Sequence, residues 1–486
     1  MSIGNALSNA LSGLNAVSRA ADVVSSNVSN AMTEGYGRRE IELTSQTLGR
    51  FGAGVEVTSI TRQSDPVITG ERRIADGEVA LAETRTDFLN DFTRAMGQPD
   101  EAGSISGQIV SLEASLIEAS SRPESEARLQ NVLYAAQSLT EKINSTADSL
   151  VESRIAADQD IGKAVDVLQS SLQQVADLNV AIQQGQSSGY DINSLLDKRQ
   201  SVVDQISQIV PVKEVLRENN MVALYTPGGS ILVDSKAAEL GFSTVATIAP
   251  EMSVASGALS GLTINGQPVS TDANKGPIAG GRLAGLFEVR DELIPDAQIK
   301  LDAVARDLIE RFQTSDVDPT LAIGDAGFFT DGGEAFDPLN EVALSGRLSV
   351  NSGVDPVQSG DLWKIRDGLG ASAEGEQGNA SLLLAMTDAL QSSRVVSSGG
   401  FSSAERTASG LSADFYSIIE SDALNFETGM SFSAARQENL KSIELEAGVD
   451  TDFEMQQLLI IERNYAANAK VIQTVDTLLN QLIGMV

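Results

Sequence analysis

Apolar residues recur at alternating steps of four and three near both ends of the chain, the heptad pattern of a helix that faces a partner. The first stripe consists of Ile3, Leu7, Ala10, Leu14, Val17, Ala21, Val24 and Val28. The second consists of Ile461, Tyr465, Asn468, Ile472, Val475, Leu479, Leu482 and Val486. Each spans about 26 residues, or roughly 39 Å of helix. The pattern therefore predicts two helices of matched length that pair antiparallel as a coiled coil.

The flanks of these two helices are almost uncharged. Before residue 34 the charged side chains are Arg19 and Asp22, and after residue 464 they are Lys470 and Asp476. A solvent-exposed coiled coil usually carries Glu and Lys beside its seam, and a two-helix pair is marginally stable by itself. Two interpretations stay open. Either the ends become ordered when many copies assemble, or they form an intramolecular bundle that caps the protein's own core.

A turn and an extended segment follow the first predicted helix. Gly35 and Gly37 flank Tyr36, which indicates the end of a helix and a turn. The segment "GAGVEVTSITRQ" alternates apolar and polar residues, as a short strand or extended arm does. At the other end of the chain, Thr451 and Glu454 have the spacing of a capping box. The last helix is therefore predicted to begin near residue 452, with Thr451 as its N-cap.

The middle of the chain alternates between helical and β-rich patterns. Apolar steps of three and four predict helices near 129–150, 159–184, 191–209 and 281–313. Between the last two lies "TINGQP", in which Asn-Gly is a strong hairpin signal. These patterns predict a mainly α fold with inserted β structure, elongated and multi-domain. The predicted domains are a terminal arm (1–60 and 448–486), a helical-bundle body (61–210, 281–314 and 371–447) and a distal β-rich insertion (211–280 and 315–370).

Composition removes several classes of chemistry. The chain has neither cysteine nor histidine, so disulfides, thiolate catalysis, histidine-based triads and ordinary zinc sites are excluded. A net charge of −33 argues against nucleic acids and anionic membranes as partners, because both carry negative phosphate groups. The sequence also contains no run of about 18 apolar residues, so we expect no membrane insertion.

One acidic segment resembles a calcium-binding loop at first sight. In "SDVDPTLAIGDAG", Asp316 and Asp318 have the spacing of the first two ligands of such a loop. Leu321 and Gly327 stand where the loop needs a glycine and a glutamate, so a solvated loop is the default interpretation. We therefore predict no catalytic residue, no cofactor site and no metal site. Paired carboxylates of a glycoside hydrolase remain an alternative, because the chain has 67 acidic residues.

The ends of the chain resemble the axial proteins of the bacterial flagellum, which include rod, hook and hook-associated proteins. The segment "SSNVSNAMTEGYGRR" resembles the N-terminal signature of this family, with matches at Asn27, Asn30, Ala31, Thr33, Gly35, Tyr36 and Arg38. The segment "YAANAKVIQTVDTLLNQLI" resembles the C-terminal signature, with matches at Tyr465, Ala467, Ala469, Lys470, Val471, Ile472 and Thr474.

Two internal segments narrow the resemblance to the hook-associated members of the family. The first, "YDINSLLDKRQSVVDQIS", matches at Asp191, Asn193, Leu195, Leu196, Asp197 and Arg199. The second, "GGRLAGLFEVRDELIPDAQIKLDAVARDLIERF", matches at Gly280, Gly281, Leu283, Gly285, Leu286, Arg290 and Asp291. The β-rich stretches carry little resemblance.

The resemblance implies a non-enzymatic structural subunit at the junction between the flagellar hook and filament. It implies export through the flagellar type III channel without a cleaved signal, an extracellular location and a ring of about eleven copies. The implied partners are the hook protein, a second hook-associated junction protein and a cytoplasmic chaperone that holds the C-terminal helix. Alternatives are another axial protein, such as a hook or distal rod subunit, and a secreted enzyme that acts on polysaccharide or peptidoglycan.

The predicted assembly interface combines the two apolar stripes with the turn between them. Its residues are Ile3, Leu7, Leu14, Val17, Val24, Val28, Asn30, Gly35, Tyr36, Ile461, Tyr465, Asn468, Ile472, Val475, Leu479 and Leu482.

Overall fold

The computed structural model describes residues 3–33, 35–48, 51–446 and 448–484; Val486 of the predicted stripe lies outside them. The helices are α1 (Ile3–Asn30), α2 (Pro66–Met96), α3 (Ile105–Ser120), α4 (Glu126–Ser187), α5 (Asn193–Ile209), α6 (Gly281–Glu288), α7 (Ile294–Phe312), α8 (Lys364–Asp367), α9 (Ser381–Gln391), α10 (Ala408–Glu446) and α11 (Thr451–Ile483). The strands are β1 (Arg39–Leu48), β2 (Phe51–Arg62), β3 (Lys213–Leu216), β4 (Val222–Tyr225), β5 (Ile231–Val233), β6 (Leu240–Gly241), β7 (Thr263–Ile264), β8 (Gln267–Pro268), β9 (Phe329–Asp331) and β10 (Leu348–Val350).

The fold is mainly α, with small inserted sheets and an elongated shape, so the predicted fold class is confirmed. Its longest element is α4, whose 62 residues correspond to roughly 93 Å of helix. The sequence predicts two separate helices over this stretch, and the structure joins them. Arg154 lies where the apolar pattern of the helix is interrupted. Its guanidinium donates to the carbonyl oxygens of Arg290 and Met252 at 2.9 and 2.7 Å, so the helix continues through this position.

Two hydrophobic cores lie along α4. The large core contains its first half together with parts of α2, α3, α7, α9 and α10. The small core contains its second half together with α5, α6 and residues of strands β4, β5 and β7, with β6 packed against it. A buried ion pair joins the two regions, since Arg290 donates to Asp158 at 2.7 Å and both side chains are fully buried. Such a pair costs desolvation but fixes one geometry, because breaking it leaves a charge unpaired.

The two β-rich stretches that the sequence analysis groups into one insertion pack against different cores. Strands β3, β4 and β5 form one antiparallel sheet, and β6, β7 and β8 form another; both belong to the small core. The β9–β10 pair packs into the large core. Between β7 and β8, Asn265 and Gly266 both have positive φ angles of 52° and 74°. This is the backbone of a type I′ hairpin turn, as the Asn-Gly pair predicts.

The terminal arm consists of α1, the β1–β2 hairpin and α11. Helices α1 and α11 pack antiparallel: Gly13 of α1 faces Asn468, and Arg38, beyond the end of α1, pairs with Glu454 at the start of α11. A Cβ atom on Gly13 would lie 2.8 Å from the Asn468 amide nitrogen, so the small residue permits the close approach. Whether the contact is a true coiled coil stays a prediction.

The hairpin lies against the side of α1. The backbone amide of Val55 donates to the Ser12 hydroxyl at 3.2 Å, and Gly54 has a φ of +106°. A Cβ on Gly54 would lie 3.3 Å from the Asn9 Cα atom, so strand and helix backbones touch here. The sequence analysis predicts the second strand of this hairpin and misses the first. No described residue of α1, the hairpin or α11 belongs to the large or the small core.

Two local predictions need correction or a new explanation. The N-cap of α11 is Asp450, not Thr451: its carboxylate accepts from the backbone amides of Asp452 and Phe453 at 2.9 and 3.1 Å. The predicted capping-box acid, Glu454, is instead buried beside Arg38. A buried carboxylate is better compensated by a guanidinium than by a single amide.

The acidic loop at Asp316 and Asp318 has a structural role at its second member. Asp318 is buried and accepts hydrogen bonds from the Thr320 hydroxyl at 2.6 Å and from the Leu369 amide at 2.8 Å. It therefore ties two loops together. Within the described ranges, no group of three acidic side chains is placed to hold a metal ion, and no helix is long and apolar enough to cross a membrane.

Candidate functional site at the terminal arm

The predicted stripe on α1 is partly buried in the arm. Val24 is buried, and Ile3, Leu14, Val17 and Val28 are half-buried. Leu7 is 36% exposed. The most buried residues of the helix are Ala10, Ala16, Val23, Val24 and Asn27. The buried face is thus rotated and wider than a two-helix seam, because α1 packs against the hairpin as well as against α11.

The stripe on α11 divides into two groups. Val475 is buried, and Ile461, Asn468 and Ile472 are half-buried. Tyr465, Leu479 and Leu482 are 50%, 38% and 51% exposed and do not join the packed face. Within α11, which the structure describes in full, only Glu454 and Val475 are buried. One contact face with α1 therefore leaves most of this helix uncovered.

Helix α11 exposes many large apolar residues along its length. Its exposed large apolar side chains are Phe453, Met455, Leu458, Leu459, Ile460, Tyr465, Val471, Leu478, Leu479, Leu482 and Ile483. We call this set the outer face of α11. Monomeric proteins rarely expose so many large apolar residues on one helix, and large exposed patches usually mark interaction sites.

A groove also runs between α1, the hairpin and α11. Its volume is about 500 Å³. Its lining includes the apolar residues Val17, Ala20, Val24, Val55 and Ile461, together with polar residues such as Arg39 and Asn464. The arm therefore presents both exposed apolar residues and a groove of mixed polarity.

The turn after α1 is closed by Asn27, which is fully buried. Its amide nitrogen donates to the carbonyl oxygen of Arg39 at 2.9 Å, and its carbonyl oxygen accepts from the backbone amide of Arg39 at 2.9 Å. The same oxygen accepts from the Tyr36 hydroxyl at 2.9 Å. A single side chain thus satisfies the backbone where β1 begins and fixes it to α1. Asn27 and Tyr36, which both match the N-terminal signature, are thus hydrogen-bonded to each other in this turn.

The other predicted residues of the turn shape the backbone. Asn30 donates to the carbonyl oxygen of Ser26 at 2.9 Å. Gly35 has a φ of +77°, a conformation that favours glycine. Asn30, Gly35 and Tyr36 therefore hold the turn together within one subunit, and their part in contacts between subunits stays a prediction.

The turn also rests on α5, through a carboxylate that the sequence analysis did not propose for the site. Asp197 accepts from the backbone amide of Gly37 at 3.1 Å and from the Arg62 guanidinium at 2.7 Å. Its second oxygen accepts from Arg39 at 3.4 Å. The internal segment "YDINSLLDKRQ" and the N-terminal signature thus meet in space. The available signal was the placement of arginines at residues 38, 39 and 62, at the two ends of the hairpin segment.

A second carboxylate fastens the start of α11 to the same turn. Glu454 is 1% exposed and accepts from Arg38 at 2.7 Å. The guanidinium of Arg38 also lies 5.0 Å from the centre of the Phe453 ring, within range of a cation–π contact. Both terminal helices are therefore anchored at one end, where the arm meets the body.

A charged network in the body lies next to this anchor. Arg72 of α2 pairs with Asp76, Asp204 and Glu444. Burial alone would lower the pKa of the Arg72 guanidinium, but these carboxylates outweigh burial and raise the pKa above its usual value. The network joins α2 and α10 to α5, the helix that also carries Asp197.

Comparison with known proteins gives a consistent result along the chain. The family model described as the helical domain of flagellar hook-associated protein FlgK matches residues 89–320. Models of the flagellar basal body rod FlgEFG protein C-terminal region and of the flagella basal body rod protein match residues 446–485 and 7–36. All three models describe flagellar proteins, so the chain is similar to flagellar proteins near both ends and in its middle.

Individual proteins similar to this chain point to one kind of flagellar protein. The flagellar hook-associated protein 1 of Salmonella typhimurium is 29% identical over 239 residues, which cover 48% of this chain and 43% of the relative. The protein of that name in Bacillus subtilis is 22% identical over 506 residues, which cover 97% and 96% of the two chains. The chain thus spans less than half the length of the Salmonella relative. The relatives that these matches reach are flagellar hook-associated proteins 1, to which this chain is similar.

A solved structure was also compared. The flagellar hook junction protein FlgK from Burkholderia pseudomallei aligns over 54% of this chain and 47% of its own, with 20% identity and a TM-score of 0.45.

Proposed function

We propose that this protein is a structural subunit that forms the junction between the flagellar hook and filament, and that its copies assemble through the terminal arm. The observation that carries the proposal is the outer face of α11, a set of eleven exposed large apolar residues on a helix with two buried positions. Neighbouring copies would cover this face and remove its apolar surface from water.

The distribution of charge favours contact between copies at the arm. The whole chain carries −33, so two copies repel each other over most of their surfaces. On α1 the charges of Arg19 and Asp22 cancel, and from residue 455 onward two acidic residues, Glu462 and Asp476, balance Arg463 and Lys470. The arm is therefore the part of the molecule where copies approach at the least electrostatic cost.

The separation of the arm from both cores supports the same role. Its described residues belong to neither core, so the arm does not cap the body as an intramolecular bundle would. In the proposed assembly, about eleven copies form a closed ring whose terminal helices line the innermost tube. The hook protein and a second hook-associated protein lie on either side of this ring.

The resemblance to flagellar proteins also suggests how the protein reaches the junction between hook and filament. The chain is exported through the flagellar type III channel without a cleaved signal and acts outside the cell. A cytoplasmic chaperone covers α11 before export, which would shield the outer face described above. The role is structural and non-enzymatic.

Deletion of the gene tests the proposal most directly. We expect cells that build complete hooks but carry no filaments, as seen by electron microscopy of negatively stained cells, with recovery when the gene is restored. Loss of the hook or the distal rod itself would favour the alternative of a hook or rod subunit. Hydrolysis of peptidoglycan by the purified protein in a zymogram would contradict the non-enzymatic role.

A further inference from the structure

Side-chain contacts from the arm to the body converge on one face of α5. Asn193, Asp197 and Gln200 follow each other at i, i+4 and i+7, so they share that face. Asn193 donates to the carbonyl oxygen of Ile60 at 3.0 Å, and Gln200 accepts from Arg62. We call these three residues of α5 the clasp. The main chain itself connects arm and body at two places, residues 63–65 and 447–450.

Asp197 is the central member of the clasp. Its carboxylate binds the backbone amide of Gly37 and the guanidinium groups of Arg39 and Arg62. The side chains of these partners are 12–19% exposed, so solvent screens the contacts only in part. Without the carboxylate, two half-buried cations would face each other and one backbone amide would lose its acceptor, and both changes are unfavourable.

The two parts that Asp197 joins are stabilised independently of it. The arm is closed by Asn27, by the packing of α1 against α11 and by the contact of Ser12 with Val55. Helix α5 is anchored in the small core by Val202, Val203 and Ile206. Loss of the Asp197 contacts therefore affects the relative direction of arm and body far more than the folding of either.

We propose that Asp197 is a positioning residue that fixes the direction of the terminal arm relative to the body. In one subunit it holds the arm at a single angle before any neighbour is present. This extends the proposed function, since neighbouring arms can pack into a closed ring only at a common angle. The proposal about the angle itself concerns the isolated subunit and does not depend on assembly.

Spin-label distance measurements on the purified full-length chain test this proposal. The chain has no cysteine, so labels can be placed at will on exposed positions. One pair, Ser18→Cys with Gln174→Cys, spans arm and body. A second pair, Ser18→Cys with Ala466→Cys, lies within the arm. Each pair is measured in the unchanged chain and in Asp197→Ala, and the matched control is Asp166→Ala, which removes an exposed carboxylate of α4.

We expect Asp197→Ala to widen the arm–body distance distribution at least about twofold, as release of a hinge would, and to leave the distribution within the arm unchanged. Asp166→Ala should alter neither, and Asp197→Glu, which keeps the charge, should restore much of the narrow distribution. An unchanged arm–body distribution in Asp197→Ala would overturn the proposal. Widening of both distributions would overturn it too, because it would show a folding role. If gene deletion failed to give bare hooks, the proposed function would fall while these distances would still stand.

Discussion

Replacement of Asn27 by alanine tests how the terminal arm is held closed. The substitution removes the side chain that satisfies both backbone groups of Arg39 and one of the two partners of the Tyr36 hydroxyl. Tyr36 keeps its contact with Ser26 at 3.2 Å, so two backbone groups lose their partner. Each such loss costs about 1–3 kcal/mol when the group is buried.

The exposure of Arg39 determines how large the cost of each lost hydrogen bond is within this range. Arg39 is itself half-buried, so water can reach part of the site and the lower end applies, for a total of about 2 kcal/mol. Since about 1.4 kcal/mol corresponds to a factor of ten in an equilibrium constant, the arm should open about 30-fold more often. Neither core contains any of the arm residues that the structure describes, so the melting of the body should not change.

Backbone amide exchange measured by mass spectrometry on the purified subunit distinguishes these effects. We expect exchange in α1 and the hairpin to accelerate about 30-fold in Asn27→Ala, while peptides from α4 and α7 exchange as before. Asn15→Ala, which changes an exposed asparagine of the same helix, serves as the control and should have little effect. Equal exchange in the two variants would refute the conclusion that Asn27 closes the arm.

Three further substitutions probe other parts of the molecule. Asp158→Ala removes the partner of the buried Arg290 and should destabilise the body by about 3 kcal/mol, measured by urea unfolding, because Arg290 keeps Asp291 as a second partner. Leu459→Ser changes a residue that is 55% exposed, so it should shift stability by less than about 0.5 kcal/mol and yet reduce incorporation into flagella. Burial raises the pKa of Asp302, so its contribution to stability is present at low pH and is lost as the pH rises through that raised pKa. Unfolding free energies of the unchanged chain and of Asp302→Asn should therefore be closest at low pH, where both side chains are neutral, and the unchanged chain should lose stability relative to the variant as the pH rises through the raised pKa.

Local patterns predicted the elements that depend on neighbours in sequence. The terminal helix begins within a residue of its predicted start, and Asn265-Gly266 forms its turn, because capping and turn geometry involve side chains only a few positions apart. The same reasoning assigned the N-cap to Thr451 although Asp450, one residue earlier, also fits. Only the buried pairing of Glu454 with Arg38 decides between them, and Arg38 is 416 positions away.

Long-range contacts explain what the sequence did not predict. The position of Asp197 against Gly37 joins residues 160 positions apart, and no periodicity connects them. The stripe on α1 was assigned one partner, whereas the helix has two, so its buried face shifts toward Ala16 and Val23. Helix α4 continues through Arg154 because loop carbonyl groups accept its hydrogen bonds. Each difference arises where a distant segment supplies the partner of a polar or apolar side chain.

Removal of residues 461–486 tests most directly the claim that neighbouring copies complete the surface of the arm. The truncated chain loses six of the eleven residues of the outer face of α11, and none of the described residues that it loses belongs to either core. We expect its body to melt at the temperature of the full chain, while electron microscopy of cells that export it shows hooks without filaments. Truncated subunits that still joined hook to filament would contradict the account.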